Sequence, residues 1–137
     1  MSRPEFEVAW VRIREAKSTL EEARELCARQ RWRGCANRLY YACFYAALAL
    51  LAVDGKGSSK HTGVRGLLVT DYIRTGLIAE PLGRFYHMLF EARLQADYVL
   101  EKPLPEENLP AWLESAGEFI ESAELLIRQR EADESKK

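Results

Sequence analysis

Apolar residues recur along most of this chain at three- and four-residue steps, the spacing of one face of an α-helix. Phe6, Trp10, Ile13, Leu20, Ala23 and Cys27 keep that step, with a double step across Ala16, while Glu7, Arg14, Ser18, Glu21 and Glu25 take the opposite face. Pro4 suits a first helical turn and Glu5 and Glu7 suit its positive end, so a helix is predicted from near Pro4. The turn ARQRWRG closes it, with Trp32 expected to plug the end of the core and Gly34 placed just before the next helix. From Cys35 to Val53 the pattern changes: beyond Leu39 the segment has no charge, and its apolar side chains point all round the helical wheel. Such a helix has to be surrounded by protein or by lipid. The uncharged run of about 15 residues falls short of the roughly 20 that span a bilayer, which predicts the central helix of a bundle and no membrane span.

The segment VDGKGSSKHTG reads as a loop from its glycines and serines. A shorter helix is predicted from about Ser59, with Val64, Leu67, Leu68, Tyr72 and Ile73 on its apolar side, two internal glycines disturbing its regularity, and Gly76 as its C-terminal cap. After Pro81 a third long helix carries Leu82, Phe85, Tyr86, Leu89, Phe90, Arg93, Ala96, Asp97 and Leu100 in one stripe, so Arg93 and Asp97, four apart, face the same way. Lys102 to Pro110 holds three prolines and is predicted as a loop. Leu109, Trp112, Leu113, Ala116, Phe119, Ile120, Ala123, Leu126 and Ile127 make the last amphipathic stripe, and the charged EADESKK is expected to fray. No alternating strand pattern of useful length occurs. The expected fold is all-α: an up-and-down four-helix bundle with a short extra helix between the second and third long helices, one domain over residues 1–130 and a charged flexible tail over 131–137.

Composition changes this picture little. A chain of 137 residues with 47% hydrophobic and 30% charged residues suits one globular domain, and a net charge of -1 gives no overall basic signal for nucleic acid. A local cluster, Arg29, Arg31, Arg33 and Arg38, surrounds the start of the central helix, either as a solvated turn or as an anion-binding patch. Cys27, Cys35 and Cys43 form no CxxC pair, and Cys35 and Cys43 lie about 12 Å apart along one helix at its rise per residue, beyond disulfide reach. Reduced thiols in a cytoplasmic protein are the expectation, and MSRPEFEVAW carries no secretory pattern.

No Gly-rich phosphate loop, HExxH, zinc quartet or nucleophile elbow is present, and His61 and His87 lack metal-ligand spacing, so neither a metal site nor a cofactor is expected. What stands out is polar chemistry on helix faces that look buried: Asn37, Arg38 and Tyr41 on the central helix, Arg93 and Asp97 on the third. Burying such groups costs several kcal/mol unless they find partners. Either they satisfy one another, with Arg38 or Arg93 paired to Asp97, or they line a polar cleft in which the arginines hold a phosphate. Lys60 and His61 stand where the start of the short helix would add backbone donors for an anion.

The blocks NRLYYACFYAALALL, SKHTG, DYIRTG and EARLQADYVLE, in that order and spacing, resemble the HEPN domain (higher eukaryotes and prokaryotes nucleotide-binding), in its small stand-alone prokaryotic branch. The resemblance runs from the first helix to about Leu126. It implies a helical bundle that dimerises, and a HEPN partner of a minimal nucleotidyltransferase in a toxin–antitoxin-like pair that binds nucleotide or RNA with little or no catalysis. The alternatives it leaves are an active metal-independent endoribonuclease toxin and a structural dimerisation module. Arg93 matches the arginine of the family's ribonuclease motif, but Tyr98 stands where its histidine belongs. Ribonuclease chemistry would then need Arg93 with Asp97, Tyr98 or His61; His61 matches the histidine of the loop block. A partner transferase of this kind also modifies a tyrosine with AMP in some pairs, for which Tyr98 is the nearby residue.

Overall fold

The computed structural model describes residues 3–98 and 106–136, with side chains in the third long helix described as far as Leu94. Five helices follow one another: α1 (Pro4–Ala28), α2 (Trp32–Val53), α3 (His61–Leu68), α4 (Glu80–Tyr98) and α5 (Leu109–Ser135). A wider π turn (Val69–Ile73) continues α3, and a 3-10 turn (Glu106–Asn108) leads into α5. No strand occurs among the described residues. The all-α bundle of four long helices with a short one between the second and third is therefore the observed architecture.

The apolar stripes become the core. Phe6, Ala9, Ile13, Ala16, Leu20 and Ala23 of α1, Phe119, Ile120, Ala123 and Ile127 of α5, and Phe85, Tyr86 and Leu89 of α4 are buried, and all three helices pack on α2. Ala36, Ala42, Ala46, Ala47 and Ala49 let the neighbouring helices approach α2 closely, and all five are buried. By length and composition alone α2 is apolar enough to cross a membrane, yet 61% of its most hydrophobic window is buried by the other helices. Its cover is incomplete on one stripe: Tyr41, Phe44, Tyr45 and Leu48, each three or four residues from two of the others, are only partly buried.

Three boundaries differ from the sequence expectation. The central helix starts at Trp32, not Cys35, because the reversal is completed by Gln30 in the left-handed region (φ 59°), and the Cys35 N–H already donates to the Arg31 carbonyl. Gly34 thus lies inside the first turn of α2, where an added Cβ would stand 3.2 Å from Leu26 Cδ1. The short helix starts at His61, two residues after Ser59, and Gly76 (φ 81°) follows its π turn. The chain also does not leave the helical state at Glu131: α5 continues through Ser135, with Glu134 Oε1 3.6 Å from Arg3 Nε and Arg130 bound to Asp54. Those contacts hold the charged end against the start of α1 and the end of α2, which apolar periodicity does not report. Cys35 and Cys43 are buried and Cys27 half-buried, all as free thiols; burial, with Cys27 beside it, pushes the Cys35 thiol up to about 12.

Candidate functional site

The polar group at the start of α2 is assembled by helical spacing. Asn37, Tyr41 and Phe44 share one face, and Tyr40 and Phe44 are four apart, so both tyrosines and Phe44 crowd one patch. Tyr40 is fully buried and stacks on Phe44, with ring centroids 5.7 Å apart and planes at 21°. Asn37 Oδ1 accepts hydrogen bonds from Arg38 Nη2 (2.8 Å) and Nε (3.1 Å), which orients the Arg38 guanidinium over the Tyr41 ring at 5.2 Å.

From α4, Arg93 reaches the same patch. It is buried, with its guanidinium carbon 5.3 Å from the Tyr40 ring and 5.8 Å from the Tyr41 ring. From α3, His61 reaches it too: Nδ1 lies 2.8 Å from the Tyr40 hydroxyl, in a hydrogen bond whose donor is set by the imidazole tautomer. The ring stacks on Phe44 at 4.5 Å and meets Tyr41 edge-on at 5.8 Å. Tyr41 is thus in contact with Arg38, Arg93 and His61, three residues from three helices. Burial pushes the Tyr40 hydroxyl up to about 12 despite the opposing pull of Arg93, so at neutral pH it is a phenol held as a hydrogen-bonding strut. The Tyr86 hydroxyl is buried beside it without meeting hydrogen-bond geometry, and burial holds that group well above the ordinary phenol range.

Burial first, and the Arg93 charge second, lower the His61 pKa from its ordinary 6.5. The imidazole is therefore neutral at pH 7, able to accept or give one proton at whichever nitrogen Tyr40 leaves available. A folded pKa below the unfolded one means that the unfolded chain binds more protons in the interval between them, so stability rises with pH across it. Thermal melts from about pH 7.5 down to about pH 5 should show stability falling once pH drops below the ordinary histidine value, and levelling below the lowered folded value. His61→Gln should flatten that interval; an unchanged slope would mean that other groups set it.

The remaining residues singled out from sequence are placed as follows. Lys60 is the exposed N-cap residue of α3, and its backbone N–H donates to Ser58 Oγ at 3.2 Å. His87 is exposed on α4. Asp97 and Tyr98 lie in the last turn of α4, but their side chains fall outside the described residues, as does the expected pairing of Arg93 or Arg38 with Asp97. Phe44, stacked on both Tyr40 and His61, was missed, and so was Arg65. Arg65, four after His61 on α3, turns to the same side; its guanidinium lies 4.2 Å over Phe90, with Nη1 3.5 Å from His87 Nδ1 and 3.9 Å from Glu91 Oε1. The His61–Arg65 spacing was the available signal.

The family model of the HEPN domain matches residues 9–128, nearly the whole helical bundle. The chain belongs to the HEPN domain family. Within it, the chain is 37% identical over 114 residues to a UPF0332 protein of Thermotoga maritima, covering 83% of this chain and 86% of that one. It is 34% identical over 95 residues to a candidate toxin of Methanocaldococcus jannaschii, covering 69% and 71% of the two chains. A second candidate toxin of that organism is 28% identical over 86 residues, or 63% of this chain and 58% of the other. For this HEPN protein the arginine, histidine and paired tyrosines described above are thus brought together by tertiary contacts between α2, α3 and α4.

Proposed function

We propose that this HEPN protein is the toxin-like member of a two-protein, toxin–antitoxin-like pair whose other member is a minimal nucleotidyltransferase, and that it binds nucleotide or RNA phosphate at the α2–α3–α4 cluster. The observation that carries this reading is the convergence of Arg38, Arg93 and His61 on Tyr41. Two guanidiniums over aromatic faces form a preorganised, partly desolvated anion site, where charged hydrogen bonds to phosphate are stronger than in water. The candidate-toxin names of two relatives support the toxin-like role. The protein acts in the cytoplasm, where its three free thiols stay reduced, and as a homodimer, for which the partly covered stripe Tyr41, Phe44, Tyr45 and Leu48 offers one apolar face. The test is direct. Its gene should stand beside one for a minimal nucleotidyltransferase, and the two proteins should copurify on co-expression; failure to copurify sinks the partnership.

A second reading, an active metal-independent endoribonuclease, is favoured by one observation: His61 shares the tyrosine pair with Arg93 although Tyr98 occupies the motif position. Arginine would stabilise the phosphorane charge and the neutral imidazole would accept the 2′-hydroxyl proton. Expression should then arrest growth in a manner abolished by Arg93→Ala or His61→Ala. Equal growth of wild type and variants would reject it.

A further inference from the structure

We propose that Arg65 and His87 form a second phosphate contact beside the Arg93 cluster, so that the ligand is a single nucleic-acid strand crossing from α2 to the α3–α4 seam and not a lone nucleotide. This rests on the phosphate-binding reading above and names the class of ligand. Three observations carry it. First, Arg65 is already shaped for an anion: its guanidinium is stacked on Phe90 at 4.2 Å, and its side chain keeps 29% exposure. A stacked guanidinium loses little freedom when it binds phosphate in bidentate fashion. Second, His87 stands 3.5 Å away from Arg65 with 59% of its side chain exposed, which gives the seam a second donor facing solvent. Third, Arg65 and His87 themselves line a cleft of about 970 Å³, together with Leu68, Ile73, Phe85, Met88 and Trp112. Its size is at the upper end of small-molecule sites, and a lining that includes Phe85 and Trp112 beside aliphatic side chains suits a nucleobase.

Phe90 and Tyr40 link the two contacts physically, their rings 6.0 Å apart, with Arg65 on one and Arg93 on the other. Glu91 is the opposing charge: its Oε1 lies 3.9 Å from both Arg65 Nη1 and His87 Nε2. At that distance, and 52% exposed, it is a screened surface contact of little strength, which a phosphate can displace. A duplex would present a rigid phosphate array and keep its bases stacked, leaving the cleft unused; a flexible single strand can seat a base there.

The experiment compares binding of a mononucleotide, a dinucleotide and a longer single-stranded RNA to the full chain by fluorescence anisotropy at several salt concentrations. The wild type should bind the longer strand more tightly than the mononucleotide. Arg65→Gln should reduce the strand-to-mononucleotide affinity ratio by about tenfold and lower the salt slope by about one. His87→Gln, at an exposed position that tolerates change, should move the ratio in the same direction. An unchanged ratio in both variants overturns the proposal, as does a wild type that binds strand and mononucleotide equally. If the wild type binds none of the three probes, the phosphate reading of the Arg93 cluster falls as well. If Arg93→Ala loses binding while the ratio in the Arg65 and His87 variants is unchanged, only the second contact falls.

Discussion

Arg93→Ala should weaken nucleotide or RNA binding by roughly 10- to 100-fold, the loss expected for one charge-assisted phosphate contact of about 1.5–3 kcal/mol. The same substitution should also destabilise the fold. The guanidinium is buried over two tyrosine rings, and losing those contacts together with the packing of its stem should cost about 2 kcal/mol, or roughly 8 °C in Tm. The two effects separate three roles. Arg93→Lys keeps the charge but not the fork, so a phosphate-binding arginine should give binding between wild type and alanine. An arginine that serves packing alone gives a lowered Tm with binding unchanged. An unaltered Tm and unaltered binding in Arg93→Ala would remove Arg93 from both roles. The measurements are differential scanning calorimetry and anisotropy on the same samples.

Asp54→Ala should destabilise the other end of the bundle by about 2–3 kcal/mol, or roughly 10 °C in Tm. Asp54 caps α2 and joins three elements: its carboxylate accepts from the Tyr72 hydroxyl at 2.5 Å and from Arg130 Nε and Nη2 at 3.1 and 3.4 Å. Tyr72 sits in the π turn after α3, and its hydroxyl lies 3.2 Å from the Leu50 carbonyl, a second acceptor for the same proton; Arg130 is near the end of α5. Burial and the neighbouring carboxylate hold the Tyr72 hydroxyl far above the ordinary phenol range, so it stays a donor throughout the working pH range. Removing Asp54 strands a half-buried arginine and leaves the buried phenol one weaker acceptor. Tyr72→Phe, which deletes only the hydroxyl, should cost about 1 kcal/mol. A smaller loss for Asp54→Ala than for Tyr72→Phe would show that the three-way contact does not hold α5 to α2.

The existence, order and burial of the long helices were legible in the chain because they depend on local repetition. Phe6, Ile13 and Leu20, or Phe119, Ile120 and Ile127, fall on one side at 3.6 residues per turn whatever they meet, and all are buried in the structure. The same holds for the all-round apolar α2, whose alanines dictate close neighbours. Polar residues obey no such repetition. Arg93 was visible as a charge in an apolar stripe, yet its place over Tyr40 and Tyr41 depends on how α4 crosses α2. The 2.8 Å contact between Tyr40 and His61 spans 21 positions of sequence, and that between Asp54 and Arg130 spans 76. Arg65 escaped notice because one arginine on a short exposed-looking helix is ordinary until Phe90 and His87 are brought beneath it.

By itself the sequence determined which segments are helical, which faces are buried and to which family's blocks they correspond, because periodicity and motif order are properties of the chain alone. Only the tertiary structure decided that Arg38, Arg93 and His61 meet at one tyrosine, that Arg65 extends that patch, and that α5 stays helical to Ser135. These are contacts between helices, and they are set by crossing geometry and by side-chain reach, which no single helix encodes.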